Sequence, residues 1–204
     1  MGNDDVDLHL TGDEAADRLL SADANALLIG MVLDQQVPME KAFLGPLVIA
    51  ERMGGSFDVG AIATMNDVDF VTLCSQRPAV HRFPGSMAKR VQQVCRVLVE
   101  KYDADANRVW ANAATGAELK AALAALPGLG DQKASIFTAL LGKQRGVTPP
   151  GWREAAGLYG EEGVFRSVAD IVDAESLQKV RATKKAVKAE LKARSNVDQP
   201  ATAG

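Results

Sequence analysis

Apolar residues recur at three- and four-residue steps along most of the chain, and no run alternates convincingly as a half-buried strand would. That periodicity predicts a mainly helical protein. The clearest helix carries Met87, Val91, Val94, Cys95, Leu98, Val99 and Tyr102 on one face and Lys89, Arg90, Gln93 and Arg96 on the other, introduced by Pro84-Gly85-Ser86. The stretch Asn25 to Gln36 is apolar on nearly every side, which predicts a central helix. Pro38 breaks it and suits the first turn of the next helix, Met39 to Met53, which Gly54-Gly55 closes. Shorter helices are expected at Asp13 to Leu20, Asp67 to Cys74 (capped by Asp67), Asp105 to Asn112, Glu118 to Ala125 and Ala134 to Lys143. Beyond Lys143 the periodicity fades into loops. One or two turns are expected at Trp152 to Leu158, a short helix from Ser167, and a long basic helix at about Ala174 to Arg194.

Composition narrows the class. The 204 residues suffice for one large domain or two small helical lobes. Residues 1–12 are expected to form an acidic, mobile arm, and residues 195–204 a disordered tail. The acidic start offers no basic-then-apolar signal segment, and the strongly apolar run Ala26 to Leu33 is far too short to span a membrane. Two cysteines, Cys74 and Cys95, cannot build a four-cysteine zinc or iron–sulfur site, so no cofactor is expected. With no disulfide framework, the expectation is an intracellular, cytoplasmic protein.

The net charge of −3 argues at first against a polyanionic partner, but the charge is uneven. Residues 1–23 hold seven acids and one base, which leaves 22 basic against 19 acidic residues in the remainder. A mild excess of that kind permits contact with a polyanion through a local patch. The basic C-terminal helix reads either as a solvated face or as such a patch.

The most informative stretch is Leu126-Pro127-Gly128-Leu129-Gly130-Asp131-Gln132-Lys133, between two helical patterns. Pro127 ends the first helix, and two glycines around one apolar residue allow a tight reversal. The second helix then starts with unpaired N–H groups at the positive end of its dipole, a natural seat for a phosphate. This octapeptide resembles the hairpin of helix-hairpin-helix DNA-binding proteins, whose core reads Leu-Pro-Gly-hydrophobe-Gly. Two further stretches extend the likeness. Val32-Leu33-Asp34-Gln35-Gln36-Val37-Pro38 resembles the glutamine-bearing segment of the alkylation-repair branch of the helix-hairpin-helix DNA glycosylases, and Gly85-Ser86-Met87-Ala88-Lys89-Arg90-Val91 resembles that family's lysine-bearing helix. The three stretches fall in the family's order across roughly residues 24–143.

The resemblance implies an all-α fold of two lobes with a cleft between them, spanning residues 13–194, the hairpin lobe at about 105–145. It implies a monomeric base-excision repair protein that binds double-stranded DNA containing a damaged or mismatched base. Gln35 or Gln36 would fill the gap left by the extruded nucleotide. Gly128, Leu129, Gly130, Gln132, Lys133 and Lys89 would contact the DNA.

Two departures bear on chemistry. Strand-cleaving members of the family carry a lysine where this chain has Gln132. Lys133 lies about 100° further round the helix, so its side chain is expected to point elsewhere, as a phosphate contact or a surface lysine. The resemblance therefore argues against lyase activity. The family's catalytic aspartate, some 18 to 20 residues on, falls at Pro150 to Trp152, where no acid stands; Glu154 is the nearest carboxylate and the provisional catalytic residue, unless it is a surface glutamate paired with Arg153. Asp34, near the expected cleft, has a weaker claim. Asp131, where the family is basic or neutral, is expected either to weaken phosphate affinity or to cap the second helix. The leading expectation is a monofunctional DNA glycosylase. The alternatives are a non-catalytic DNA-binding protein that has lost the acid and a helical interaction protein without nucleic acid.

Overall fold

A computed structural model describes residues 8–197, and side chains as far as residue 190. All regular secondary structure among the described residues is helical, without strands. In order they form α1 (Glu14–Ala22), α2 (Ala24–Leu33), α3 (Met39–Arg52), α4 (Val59–Thr64), α5 (Asp67–Ser75), α6 (Pro84–Tyr102), α7 (Asn107–Trp110), α8 (Gly116–Ala124), α9 (Gly130–Gln144), α10 (Trp152–Ala156) and α11 (Ala174–Val197). Two 3₁₀ turns, Gly157–Tyr159 and Val168–Asp170, lie between the last two helices.

Short polar side chains start these helices by accepting N–H groups that have no partner within the helix. Asp13 caps α1, Asp23 caps α2, Asp58 caps α4 and Thr115 caps α8. At α5 the cap is Asn66, not Asp67, because the helix begins one residue earlier than the pattern implies. Helix α2 is the centre of the core, with every residue from Ala26 to Leu33 buried. It lies close against α3 because Gly30 has no side chain: a Cβ there would stand 2.5 Å from Cδ1 of Phe43. Helices α4 and α5 pack on α6, while α8 and α10 pack on α9. Both cysteines are free and buried, and burial pushes each thiol up to about 12. No helix among the described residues is long and apolar enough to cross a membrane.

Several boundaries differ from expectation. Residues 8–12 are packed, not an arm: Leu8 and Leu10 are fully buried, the Leu8 N–H donates to Ser21 Oγ at 2.8 Å, and Thr11 binds Asp17 Oδ1 through both its N–H and its hydroxyl. Residues 1–7 of the expected arm and 198–204 of the expected tail lie outside the described residues; 195–197 continue α11. Helix α2 stops at Leu33, which frees residues 34–36 as a loop. Helix α9 begins four residues early, at Gly130, so the hairpin is shorter than the pattern suggests. Helix α7 is only four residues long, and α4 was too short to register as a period.

One buried ion pair fixes the stretch between α10 and α11. Lys143 Nζ, on α9, lies 2.6 Å from Asp170 Oδ1 and also donates to the Glu161 carbonyl. Asp170 Oδ2 accepts the backbone N–H groups of Arg166 and Ser167. Removing one partner strands a charge in a largely buried site, which typically costs up to about 3–5 kcal/mol. Lys143→Met is therefore expected to lose about that much in denaturant-induced unfolding, with Lys143→Arg recovering part of it. A loss below about 1 kcal/mol would mean that the pair does not hold this stretch in place.

Candidate functional site

A cleft of about 1110 Å³ opens where the hairpin, the end of α2, α6, the 157–159 turn and α11 meet. The hairpin makes one wall. Gly128 and Gly130 both take positive φ (83° and 58°), which glycine adopts at no steric cost. Helix α9 then starts without a side-chain cap, leaving its first N–H groups free of any side-chain acceptor. Asp131 does not cap it. Instead Asp131 pairs with Lys120 at 2.9 Å, so its charge beside the helix end is already opposed.

The loop after α2 makes the facing wall. Asp34 closes the helix, Gln35 and Gln36 are exposed, and Gln36 adopts a left-handed backbone (φ 56°) that is costly for a residue with a side chain. His81, almost wholly buried, supports the loop from behind. Its Nδ1 accepts the Phe83 N–H at 3.1 Å, so Nε2 carries the proton and donates to the Gln35 carbonyl at 2.8 Å. Burial lowers the His81 pKa and keeps this neutral form in place.

Arg90 joins the two walls. Its guanidinium donates to Gln35 Oε1 at 2.9 Å, and its stem crosses Gly128 so closely that a Cβ there would sit 2.2 Å from Arg90 Cδ. Gly128 is thus required both for its backbone angle and for this close approach.

Lys133 and Asp34 lie in the same cleft. Lys133 Nζ donates to the Val32 carbonyl at 2.8 Å, and burial pushes its pKa down to about 8, with Arg90 adding to the depression and Asp34 opposing it. Burial also raises the Asp34 pKa, against the pull of Lys184 and Lys133. For both groups desolvation outweighs mutual attraction, so each pKa moves in the direction that disfavours the charged form. The cleft wraps round the start of α9, so Gln132 and Lys133 both reach it despite the angle between them. Gln132 Nε2 donates to the Tyr159 hydroxyl at 3.1 Å on one side, and Lys133 turns to α2 on the other. The expectation that Lys133 points elsewhere is corrected accordingly.

Charge and surface complete the site. The lining carries five cations (Arg90, Lys133, Arg166, Lys184, Lys188) against two acids, Asp34 and Asp131, in a chain whose net charge is −3. Met31, Ile136, Leu158, Tyr159 and Val187 give it an apolar part.

Of the residues singled out from the sequence, Gln35, Gly128, Leu129, Gly130, Gln132 and Lys133 line this cleft. Leu129 is buried and belongs to the core, so it serves the hairpin as packing. Gln36 and Lys89 are exposed outside the lining. Glu154 lies elsewhere: it sits in the first turn of α10, beside a separate depression with Gly157, Gly160 and Glu161, and Arg153 pairs with Glu162 and not with Glu154. Two carboxylates do line the cleft, Asp34 and Asp131, and Asp131 is already paired with Lys120. Tyr159 and Arg166 come from irregular segments whose sequence gave no signal, whereas Lys184 and Lys188 stand one turn apart in the basic helix. No group of three or more metal-ligating side chains gathers among the described residues. Comparison of the chain with protein-family models, curated proteins and solved structures yields no match.

The Lys133 environment is open to direct titration by NMR of lysine side chains. One lysine is expected to titrate near 8 and to vanish from the spectra of Lys133→Arg. Asp34→Asn removes the charge that favours the ammonium, so it should lower that midpoint further. An unchanged or raised midpoint would show that Asp34 does not act on Lys133.

Proposed function

We propose that this protein binds duplex DNA across the cationic cleft and hydrolyses the N-glycosidic bond of a damaged base, as a monofunctional DNA glycosylase of the helix-hairpin-helix type. The observation that carries the reading is that the hairpin and the glutamine loop, 90 residues apart in sequence, face one cleft and are linked through Arg90. On this reading the uncapped start of α9 receives a backbone phosphate. Gln35 enters the duplex as the nucleotide leaves it and offsets part of the unstacking cost. The two-lobed arrangement and the monomeric state belong to the same proposal.

Asp34, not Glu154, supplies the carboxylate. In hydrolysis the base departs with the electron pair of the C1′–N bond and takes up a proton, and water adds to C1′ after losing one. A carboxylate at the cleft wall stabilises the positive charge that builds on the sugar, or accepts the proton of the water. A raised pKa places Asp34 closer to the range in which a carboxyl exchanges protons usefully.

Lys133 favours a second chemistry. An amine with a pKa of about 8, turned into the cleft, is a candidate nucleophile toward the sugar aldehyde of an abasic site. Single-turnover excision on a panel of lesion-bearing duplexes, with borohydride present or absent, separates the two. The expected result is excision by the wild type, a loss of about a hundredfold or more in Asp34→Asn with duplex affinity kept, and no loss in Glu154→Gln. Borohydride trapping abolished by Lys133→Arg would support strand cleavage. Duplex binding without excision of any lesion would leave a non-catalytic DNA-binding protein, and absence of both would overturn the proposal.

A further inference from the structure

We infer that the middle of α11, residues 183–188, is a third wall of the DNA-binding cleft, on which Lys184 and Lys188 grip backbone phosphates of the bound duplex. This rests on the DNA-binding reading above and extends it to an element outside the three stretches that suggested it.

The helix has two parts. Its first turns are anchored: Leu177 and Val180 are buried, Lys179 Nζ lies 4.8 Å from the centroid of the Phe165 ring, and Arg181 pairs with Glu40 of α3. Beyond Arg181 almost every side chain through Glu190 is exposed. Within that exposed part, Thr183, Lys184, Val187 and Lys188 all line the cleft. Their spacing puts them on one stripe of the helix, since positions four apart lie above one another. The stripe is therefore directed at the cleft by the anchor beneath it.

The composition of the stripe says what it faces. Lys184 and Lys188 are like charges one turn apart, an arrangement that destabilises an isolated helix. Asp34 attracts Lys184, but placing Lys188 as well toward a cleft that already holds Arg90 and Lys133 leaves cationic charge in excess. An anion between them reverses the sign of that repulsion. Val187, about half exposed, adds apolar surface that a sugar edge can cover. Along the whole helix seven basic residues stand against Glu175 and Glu190. Lysine ammoniums on flexible stems suit phosphates, which they meet as point charges without demanding a fixed geometry. The occupant of matching charge and of a size to touch the hairpin and α11 together is the DNA backbone.

The test uses the full chain and a duplex carrying a tetrahydrofuran abasic analogue, with affinity measured by fluorescence anisotropy across a salt series. Each phosphate contact contributes about 0.9 to the slope of log affinity against log salt. The double variant Lys184→Gln/Lys188→Gln is expected to lose about 1.8 from that slope and roughly tenfold or more in affinity at moderate salt. The control Lys185→Gln/Lys101→Gln removes the same charge from exposed positions outside the cleft and should keep the wild-type slope. Circular dichroism of both variants checks that the helix persists. Wild-type slope and affinity in the Lys184/Lys188 variant would overturn this inference while leaving the DNA-binding reading intact, as would an equal loss in the control. Wild-type protein that fails to bind the duplex, or that prefers single-stranded RNA, would overturn both.

Discussion

Arg90 lying across Gly128 to reach the carboxamide of Gln35 is the contact on which the site depends. It joins two stretches that the chain separates by some 90 residues, and it needs three things at once. Helix α6 must be held rigidly, which its buried face (Met87, Val91, Val94, Cys95, Leu98) ensures. The hairpin must lack a side chain at Gly128. The loop after α2 must present Gln35 toward α6, which His81 arranges by holding its carbonyl from the other side. Any Cβ at Gly128 collides with the arginine stem and strains the backbone, so one substitution would disturb both walls together.

The second constraint is burial of charge. Lys133 and Asp34 are each shifted toward neutrality because the cleft removes them from water by more than they compensate one another. Each keeps one attachment, Lys133 to the Val32 carbonyl and Asp34 to the fields of Lys133 and Lys184. A polyanion arriving at the cleft raises the negative potential there. It should favour the ammonium form of Lys133 and protonation of Asp34, so that binding itself resets both groups. The proposed chemistry thus depends on residues whose charge state the bound partner helps to set.

Much of the fold was legible in the sequence because most elements are long amphipathic or fully buried helices. The all-α class, α2, α3, α6 and the hairpin follow from periodicity and from proline and glycine punctuation. The facing glutamine loop was legible only through its resemblance to a known segment. What failed to show were features set by tertiary contact. Leu8 and Leu10 look like part of an acidic arm until burial of both side chains, with the Leu8 N–H held by Ser21 and the Thr11 N–H by Asp17, ties the segment down. Glu154 is the acid nearest the expected position along the chain, but α10 turns that side chain toward another depression, while Asp34 reaches the cleft because α2 ends before it. Tyr159 and Arg166 sit in irregular segments with no pattern of their own. The basic helix α11 could be seen, but not its direction, which follows from Leu177, Val180 and the Arg181–Glu40 pair.

On the proposed function, Gln35 takes the place of a nucleotide drawn into the cleft. The fluorescence of 2-aminopurine placed beside a lesion in a duplex reads this out, since the base brightens when its stacking neighbour leaves. A rise on binding is expected, and Gln35→Ala should largely abolish it while anisotropy still reports a bound duplex. A saturated complex with no rise in fluorescence, or a rise unchanged in Gln35→Ala, would contradict it.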